Sequence, residues 1–288
     1  MISDINLNLY RVFYVCAKSK TFSEASDKLF ISQPAVSKQI KELEEILNVK
    51  LFHRDSKGLK LTEDGIKLFD YVEKSYNYLT AGEKLVTESK DIDNGVIKIG
   101  APSHISSFYL VNIIYEYRKL HPNVTFQVIS ASTNELIREL ENHQVDFVID
   151  SSPVDILPNM KIKKLNTYDT CFITNIDDNE SDYTKHDFVM PLSKSSMMKN
   201  LKYELDKKNI HLNMVLQVDT TDLIISSVVN KIGTGYVIRD VVENELKAGI
   251  LKEFDMNFKL PKIDINLIYI DDYLTNLSKY FIKNYILM

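Results

Sequence analysis

The stretch FISQPAVSKQIKELEE, Phe30–Glu45, predicts how the first part of this 288-residue chain folds. It opens as a polar turn and then repeats aliphatic residues at helical spacing. On a wheel of 100° per residue the aliphatic residues form one stripe, while Lys38 and Lys41 lie roughly opposite. The stripe therefore predicts a helix with one packed face and one basic, exposed face. Its members are Val36, Ile40, Leu43 and Leu47.

The turn itself predicts where this helix begins and what its first residues do. Ser32 can cap the helix, and Pro34 suits the first turn because its missing N–H would be unpaired there anyway. Gln33 and Ser37 lie at the boundary of the exposed face, near the N-terminus. An amide, a hydroxyl and two ammonium groups are what a helix in a DNA major groove needs for base edges and phosphates.

Two further helices precede this one. Residues 5–18 carry apolar side chains at i, i+3, i+4 and i+7, which indicates an amphipathic helix. We expect Ser23 to cap a second, short helix, with Ala25 and Leu29 facing inward. The resulting layout is a helix–turn–helix. The apolar positions of the first helix are Leu9, Val12, Phe13 and Cys16.

Helix–turn–helix geometry also occurs in ordinary helical domains, so the residues that follow decide between the two interpretations. Residues 49–62 predict a short hairpin with basic residues near its tip, as in the wing of a winged helix. The candidate DNA contacts on the hairpin are Arg54, Lys57 and Lys60. The whole chain has a net charge of −5, but residues 28–60 carry seven basic and four acidic side chains. Any binding to phosphates must therefore depend on this local cluster of basic residues.

Residues 65–86 predict a long helix with an apolar heptad pattern, broken only by Glu83. Such a helix can pair with its twin or pack on its own domain. Homo-oligomerisation is favoured because two DNA half-sites need two binding heads about 34 Å apart. The heptad positions are Phe69, Val72, Tyr76, Leu79 and Val86.

After a polar linker at 91–95, strands alternate with helices, which predicts a parallel α/β arrangement with enough units for two lobes. Strands are expected at 96–101, 124–130, 145–150, 168–174, 187–191, 214–218, 234–238 and 263–270. Helices are expected at 103–120, 133–142, 195–208, 221–231, 239–247 and 273–286.

Hydroxyl-bearing residues open several of these helices, where free N–H groups and the helix dipole favour a small anion. Serine and threonine are also ordinary helix caps, and His104 can equally be a solvated side chain. The candidate effector contacts are Ser103, His104, Ser106, Ser132, Thr133, Thr220, Thr221 and Thr234. A small organic anion is the class of effector that we expect.

Composition excludes several other classes of protein. No apolar run reaches membrane-spanning length and no basic-then-apolar leader begins the chain, so we expect a cytoplasmic protein. Cys16 and Cys171 form no CxxC pair, and the six histidines show no HxxxH or HExxH spacing. These patterns predict neither a disulfide framework nor a metal site, and we expect no cofactor and no catalytic residue.

Linked motifs in residues 17–65 resemble the LysR-type transcriptional regulators of bacteria. The elements SQPAVSKQI, LEE-x-L-x-V-x-LF-x-R and G-x-x-LT-x-x-G occur here in the order and spacing of that family. Weaker similarity continues through GVIKIGAPSH, EYRKLHPNVTF and IGTGYVI. By position, Gln33, Pro34, Ser37 and Lys38 match the turn with which the family contacts DNA, and the basic hairpin residues match its wing.

The resemblance implies three parts: a winged helix–turn–helix at 1–62, a linker and dimerisation helix at 63–90, and a two-lobed effector domain resembling periplasmic binding proteins at 95–288. The first lobe would comprise about 95–164 and 265–288, and the second about 165–264. Implied partners are double-stranded DNA, a second copy in a homodimer or homotetramer, a small effector, and RNA polymerase if the protein activates transcription.

Two other classes of protein are weighed against a regulator. An enzyme could use the α/β part with the helices as an accessory head, but no GxSxG, P-loop or GxGxxG after a strand supports it. A solute-binding protein would need export and no winged head. A sequence-specific DNA-binding regulator therefore explains the sequence best.

Overall fold

The computed structural model describes residues 5–55, 58–87, 92–151, 157–192 and 195–287, without the side chains at 54, 55, 58, 84 and 196. Lys57 therefore lies outside the described residues, as does the side chain of Arg54. The chain forms two compact units, residues 1–82 and 83–288, which we call the head and the body.

The head contains the predicted winged helix–turn–helix. Its elements are α1 (Leu7–Ala17), α2 (Phe22–Leu29), α3 (Gln33–Leu47), β1 (Phe52–Asp55), β2 (Gly58–Leu61) and the start of α4 (Glu63–Thr87).

Polar side chains cap the helices of the head and set their starting points. The hydroxyl of Ser32 accepts from the Ala35 N–H and Pro34 lies in the first turn of α3, as predicted. The prediction for α2 was wrong: Thr21, not Ser23, accepts from the Glu24 N–H and caps the helix. Thr21 lies directly before the first helical residue, the position at which a side-chain oxygen reaches the free N–H groups.

The apolar faces of the first three helices meet in one core. Val36, Ile40 and Leu43 of α3 are buried, whereas Leu47 is only half-buried. Each fully buried aliphatic side chain stabilises the fold by about 1.5–3 kcal/mol. The residues of α1 and α2 in this core are Leu9, Val12, Phe13, Cys16, Ala25 and Leu29.

The predicted hairpin is present, and it packs closely against the start of α4. β1 and β2 are antiparallel, with Phe52 opposite Leu61. Gly65 in the first turn of α4 lies directly against the backbone carbonyl of Leu51, so a Cβ there would overlap that oxygen. Glycine is needed at this position because of the close backbone approach.

The heptad prediction for α4 is only partly right, because three of its five positions pack on the head of its own chain. Tyr14 of α1 stacks on Tyr76 and Phe69, with ring centroids 4.9 and 6.0 Å apart. Val72 is 6% exposed within the same core. Leu79 and Val86 are instead 59% and 87% exposed. The first part of α4 therefore anchors the head through one face, and of the heptad positions Leu79 and Val86 in its later part are exposed.

The body contains two five-stranded sheets, one in each lobe. The first has the order β4-β3-β5-β12-β6 and the second the order β11-β7-β10-β8-β9. The strands of the first are β3 (Gly95–Gly100), β4 (Val124–Ile129), β5 (Phe147–Asp150), β6 (Lys161–Tyr168) and β12 (Ile263–Tyr269). Those of the second are β7 (Thr170–Asn175), β8 (Asp187–Pro191), β9 (Asn213–Val218), β10 (Thr234–Ile238) and β11 (Leu251–Phe254).

Within each sheet three strands are parallel, and the other two are antiparallel to their neighbours. β3, β4 and β5 are parallel in the first sheet, as are β8, β9 and β10 in the second. The sequence did not predict β6 and β11. β6 is mostly exposed and so lacks an apolar alternation, and β11 has only four residues.

Helices connect the strands of both sheets. They are α5 (Ser103–Ile105), α6 (Val111–Leu120), α7 (Thr133–Glu141), α8 (Ser196–Lys207), α9 (Thr221–Val229), α10 (Glu243–Lys247) and α11 (Asn276–Phe281). A π-helical segment, Ser106–Leu110, joins α5 to α6, and a second, Ile282–Ile286, follows α11. Residues 103–120 are thus helical as predicted, with one wide turn that the sequence did not indicate.

Candidate functional site

The exposed face of α3 carries the residues predicted to contact DNA. Ser32, Gln33, Pro34 and Lys38 are exposed, and Ser37 is half-buried at the edge of the face. On the opposite face the helix is held by buried aliphatic side chains. Because buried side chains hold one face of α3 against the core, the polar side chains on its other face extend into solvent from a well-packed helix.

The hairpin continues this polar surface. Lys60 is exposed and lies directly opposite His53 across the two strands, so both side chains share one face. Arg54 pairs with Leu59 through the backbone register. Lys60 is therefore the exposed lysine that the described part of the hairpin contributes to this surface.

A buried carboxylate connects α3 to the hairpin. Glu44 is 3% exposed, and its Oε1 accepts from the backbone N–H groups of Leu51 and Phe52 at 2.9 and 3.4 Å. Its Oε2 pairs with Lys50 Nζ at 2.8 Å. Burial alone would raise the pKa of Glu44, but Lys50 and the two amides outweigh it and hold the pKa below its usual value of 4.5.

Sequence reasoning missed this role of Glu44, although the LEE motif contains it. The available signal was a charged residue next to Leu43 on the packed stripe. An acid at the edge of an apolar face indicates a buried partner.

In the body, the two lobes meet through helices that open at the C-terminal ends of parallel strands. α5 of the first lobe packs against α9 of the second, and the π-helical segment after α5 packs against the turn Arg239–Val242 that follows β10. Ligands of open α/β sheets gather at this edge. We call this junction the interlobe cleft.

His104 is the titratable side chain of α5 in the cleft. It is half-buried. Burial lowers the pKa of His104 to about 4, although the charge of Asp222 on α9 partly opposes this shift. The imidazole is therefore neutral near pH 7 and offers one donor and one acceptor rather than a positive charge.

The predicted hydroxyl contacts fall into three groups. Thr220 caps α9 by accepting from the Leu223 N–H, and Thr221 beside it is half-buried at the cleft. In the first lobe Ser103 opens α5 and is also half-buried. These residues, with His104, are the ones that the structure brings to the two facing helices.

The hydroxyls of the second group already have partners. Ser106 Oγ donates to the carbonyls of Ala101 and Pro102. Ser132 Oγ donates to the carboxylate of Glu135 in a capping box. Ser132 and Thr133 share the strand edge with Ser103, since β3 and β4 are parallel, but they lie on α7 rather than on the helices that meet.

The third group is Thr234 alone, and the structure does not place it in the cleft. Thr234 is fully buried at the first residue of β10, and its hydroxyl is 2.8 Å from His186 Nδ1. The cleft lies at the other end of this strand, where Ile238 leads into Arg239. A five-residue strand separates the two ends by about 13 Å.

Aromatic residues at the cleft were not predicted. Phe108 contacts Tyr168 edge to face with ring centroids 5.2 Å apart. Burial raises the pKa of Tyr109 to about 12, so its hydroxyl is a neutral donor. Phe108 and Tyr109 follow His104 by about one helical turn, and this spacing was the signal available in the sequence.

Comparison with known proteins identifies the family. Residues 7–66 match the model described as bacterial regulatory helix-turn-helix protein, lysR family, and residues 90–283 match the LysR substrate binding domain. The chain belongs to the LysR family of bacterial transcriptional regulators. The resemblance seen in residues 17–65 is thus confirmed, and the expectation of a regulator rather than an enzyme agrees with it.

Relatives and solved structures extend the likeness over nearly the whole chain. A probable RuBisCO transcriptional regulator of Nostoc sp. is 26% identical over 258 residues, covering 85% of this chain and 77% of that protein. A protein of the same name from Thalassiosira pseudonana is 23% identical over 262 residues, covering 86% and 85%.

Among solved structures, a full-length variant of OxyR from Pseudomonas aeruginosa has a TM-score of 0.69 at 15% identity, covering 99% of this chain and 95% of that one. Vibrio fischeri DarR, solved in complex with DNA, has a TM-score of 0.63 at 18% identity and covers 99% and 100%. These two likenesses support the two-lobed fold. Across the described residues, none of the helices combines the length and the apolar composition needed to cross a bilayer.

The buried carboxylate yields the first prediction. Glu44→Gln removes the charge that holds Lys50 and weakens two backbone hydrogen bonds, so we expect it to lower the free energy of unfolding by about 1–3 kcal/mol at pH 7. Because the pKa of Glu44 is lowered by folding, its contribution is present above pH 4.5 and is lost as the pH falls through the folded-state value. Urea unfolding at several pH values should show the difference between the two proteins narrowing in acid.

The matched control is Glu45→Gln. Glu45 is exposed and pairs with Lys41 at 3.4 Å across one helical turn, so its loss should change stability by less than about 0.5 kcal/mol. Equal effects of the two substitutions would contradict the role assigned to Glu44.

Proposed function

We propose that this regulator recognises an operator by inserting the N-terminal half of α3 into the DNA major groove. The observation that carries the proposal is the polar, exposed face of α3 on a helix whose other face is buried. A fixed helix can present side chains to base edges without losing much conformational freedom on binding.

Within this proposal the exposed residues have different tasks. Gln33 can form a paired hydrogen bond with adenine, and Ser37 can reach a neighbouring base or phosphate. Lys38 and Lys41 neutralise phosphates, and Ser32 and Pro34 bring the turn close to the backbone. On the hairpin, Arg54, Lys57 and Lys60 would contact the strand beside the groove.

The regulator is proposed to act as a homodimer, which can pair further into a homotetramer. Two heads are needed to bind two half-sites of an operator. The face of α4 that does not pack on the head leaves apolar side chains in solvent, and a second copy of the same helix would cover them. These residues are Tyr71, Tyr78, Leu79 and Val86.

A small organic anion is proposed to bind in the interlobe cleft. Support comes from the half-buried Ser103 and Thr221 on the two facing helices and from the neutral imidazole of His104 on α5. Since His104 carries no charge at pH 7, hydroxyls and helix N–H groups would hold the anion. An effector alters DNA binding only if it prefers one arrangement of the lobes, so its binding must be coupled to the linker helices.

The proposed site of action is the cytoplasm, where operator DNA is found. If the regulator activates transcription, RNA polymerase is its further partner. Neither a metal nor another cofactor has a role in this proposal.

Sequence recognition is tested by comparing Gln33→Ala with Lys38→Ala. The operator is first obtained by sequencing the genomic fragments that the purified protein retains at near-physiological salt. Loss of a base contact costs about 1–3 kcal/mol, so Gln33→Ala should weaken operator binding strongly and scrambled DNA little. Lys38→Ala should weaken both alike and reduce the salt slope by about 1.

Fluorescence anisotropy with labelled duplexes measures these affinities, and Lys67→Ala is the control. Lys67 is an exposed lysine of α4 that pairs with Glu63. A wild-type protein that binds operator and scrambled duplexes equally would overturn the proposed function.

Dimerisation is tested by placing a charge on the exposed part of α4. Leu79→Glu buries a carboxylate if a second helix covers this position, so we expect monomers at micromolar concentration in analytical ultracentrifugation. Ala81→Glu places the same carboxylate about 160° around the helix and should leave the dimer intact. A Leu79→Glu protein that remains dimeric would contradict this interface.

Effector binding is tested by thermal denaturation with a panel of small carboxylates. We expect at least one to raise the melting temperature of the wild type, and to do so much less in His104→Ala and Thr221→Val. Ser181→Ala, an exposed hydroxyl in the loop before β8, is the control. Equal shifts in all variants would exclude the cleft, and the absence of any shift in the wild type would exclude this class of ligand.

A further inference from the structure

A cavity of about 430 Å³ opens on the head between the middle of α3 and the base of the hairpin. Its lining residues come from α3, from the segment before β1, from β1 itself and from the connection to α4. They are Lys41, Lys50, Phe52, His53 and Thr62. Of these, only Lys41 was assigned to DNA by the sequence.

The lining is suited to an anion. Two lysines and one histidine line the cavity together with Phe52, which is 4% exposed. Among the described residues, the lining includes no carboxylate. Thr62 shapes the rim, because its hydroxyl donates to the Lys50 carbonyl and accepts from the Gly65 N–H.

Lys50 is held in place from below. Its Nζ is 2.8 Å from the buried Glu44 carboxylate, while the side chain as a whole is 69% exposed. An ammonium group has three N–H donors, so two remain for a ligand. Glu44 also accepts from the amides of Leu51 and Phe52, which hold its carboxylate in place, and it therefore positions Lys50.

Lys41 can exchange its present partner for a ligand at little cost. It pairs with Glu45 at 3.4 Å, and both side chains are about two-thirds exposed. Exposed pairs of this type contribute only about 0.3–0.5 kcal/mol.

We propose that this cavity receives one phosphate of the DNA backbone, bound by Lys41, Lys50 and His53. The inference rests on the proposed function: with α3 in the major groove and the hairpin beside it, one strand of the duplex must cross between them. His53 lies opposite Lys60 on the hairpin, so the cavity continues the basic surface toward the wing. Glu44 is a positioning residue, since it acts only through Lys50 and the β1 backbone.

The test is a scan of the operator in which one phosphate at a time is replaced by an uncharged methylphosphonate. In the wild type, one replacement in each half-site should weaken binding about tenfold through loss of this contact. Lys50→Ala should bind the unmodified operator about tenfold more weakly and should lose nothing further at that same position. Its salt slope should be lower by about 0.9, because one phosphate is no longer neutralised.

Two further variants keep the test decisive if Lys50→Ala unfolds. Lys41→Ala and His53→Ala alter exposed side chains, and each should also become less sensitive at that one phosphate. Lys67→Ala should retain the full wild-type pattern.

The outcomes separate this inference from the function on which it rests. Suppose that the wild type distinguishes operator from scrambled DNA, but each variant weakens binding by the same factor whichever phosphate is modified. The phosphate is then not in this cavity. If the wild type does not distinguish the two duplexes at all, the proposed function itself is wrong.

Discussion

The arrangement of the head depends on one buried carboxylate. Glu44 lies on α3, yet its oxygens bind the first amides of the hairpin and the ammonium of Lys50. A carboxylate removed from water must be fully hydrogen-bonded to be tolerated, and here the bonds come from outside its own helix. The same contact therefore fixes the distance between α3 and the hairpin, the two elements that a bound duplex would have to meet together.

The helix α4 illustrates how one amphipathic stripe can serve two purposes. Its first turns bury Val72 and stack Tyr76 on Tyr14, so the helix is rigidly attached to the head. Further along, Leu79 and Val86 face solvent. The helix continues past the last residue of the head and ends at Thr87 in the body.

The interlobe cleft follows from the parallel strands of the two sheets. Parallel strands place the openings of their following helices on one edge, and α5 and α9 meet there. Burial keeps His104 neutral by lowering its pKa, so the cleft offers polar contacts of limited charge. Neighbouring hydroxyls differ in what they can do: Ser106 is occupied by the backbone, whereas Thr221 lies half-buried beside the junction.

The sequence by itself determined the winged helix–turn–helix, the alternating strands and helices, and the family. The evidence was local: apolar spacing, the Ser32 cap and the linked motifs of residues 17–65. Such patterns can be recognised without knowing which distant residues are in contact. Only the tertiary structure decided which residues share a site. Thr234 has the chemistry expected of a ligand contact, but it lies at the buried end of its strand. Val72 fits the heptad pattern but packs on its own head. Glu44 and Lys50 form their ion pair because the turn between α3 and β1 brings the end of α3 next to the start of the hairpin. Periodicity indicates which side of an element is apolar, whereas the partner that covers that side is set by packing among elements far apart in sequence.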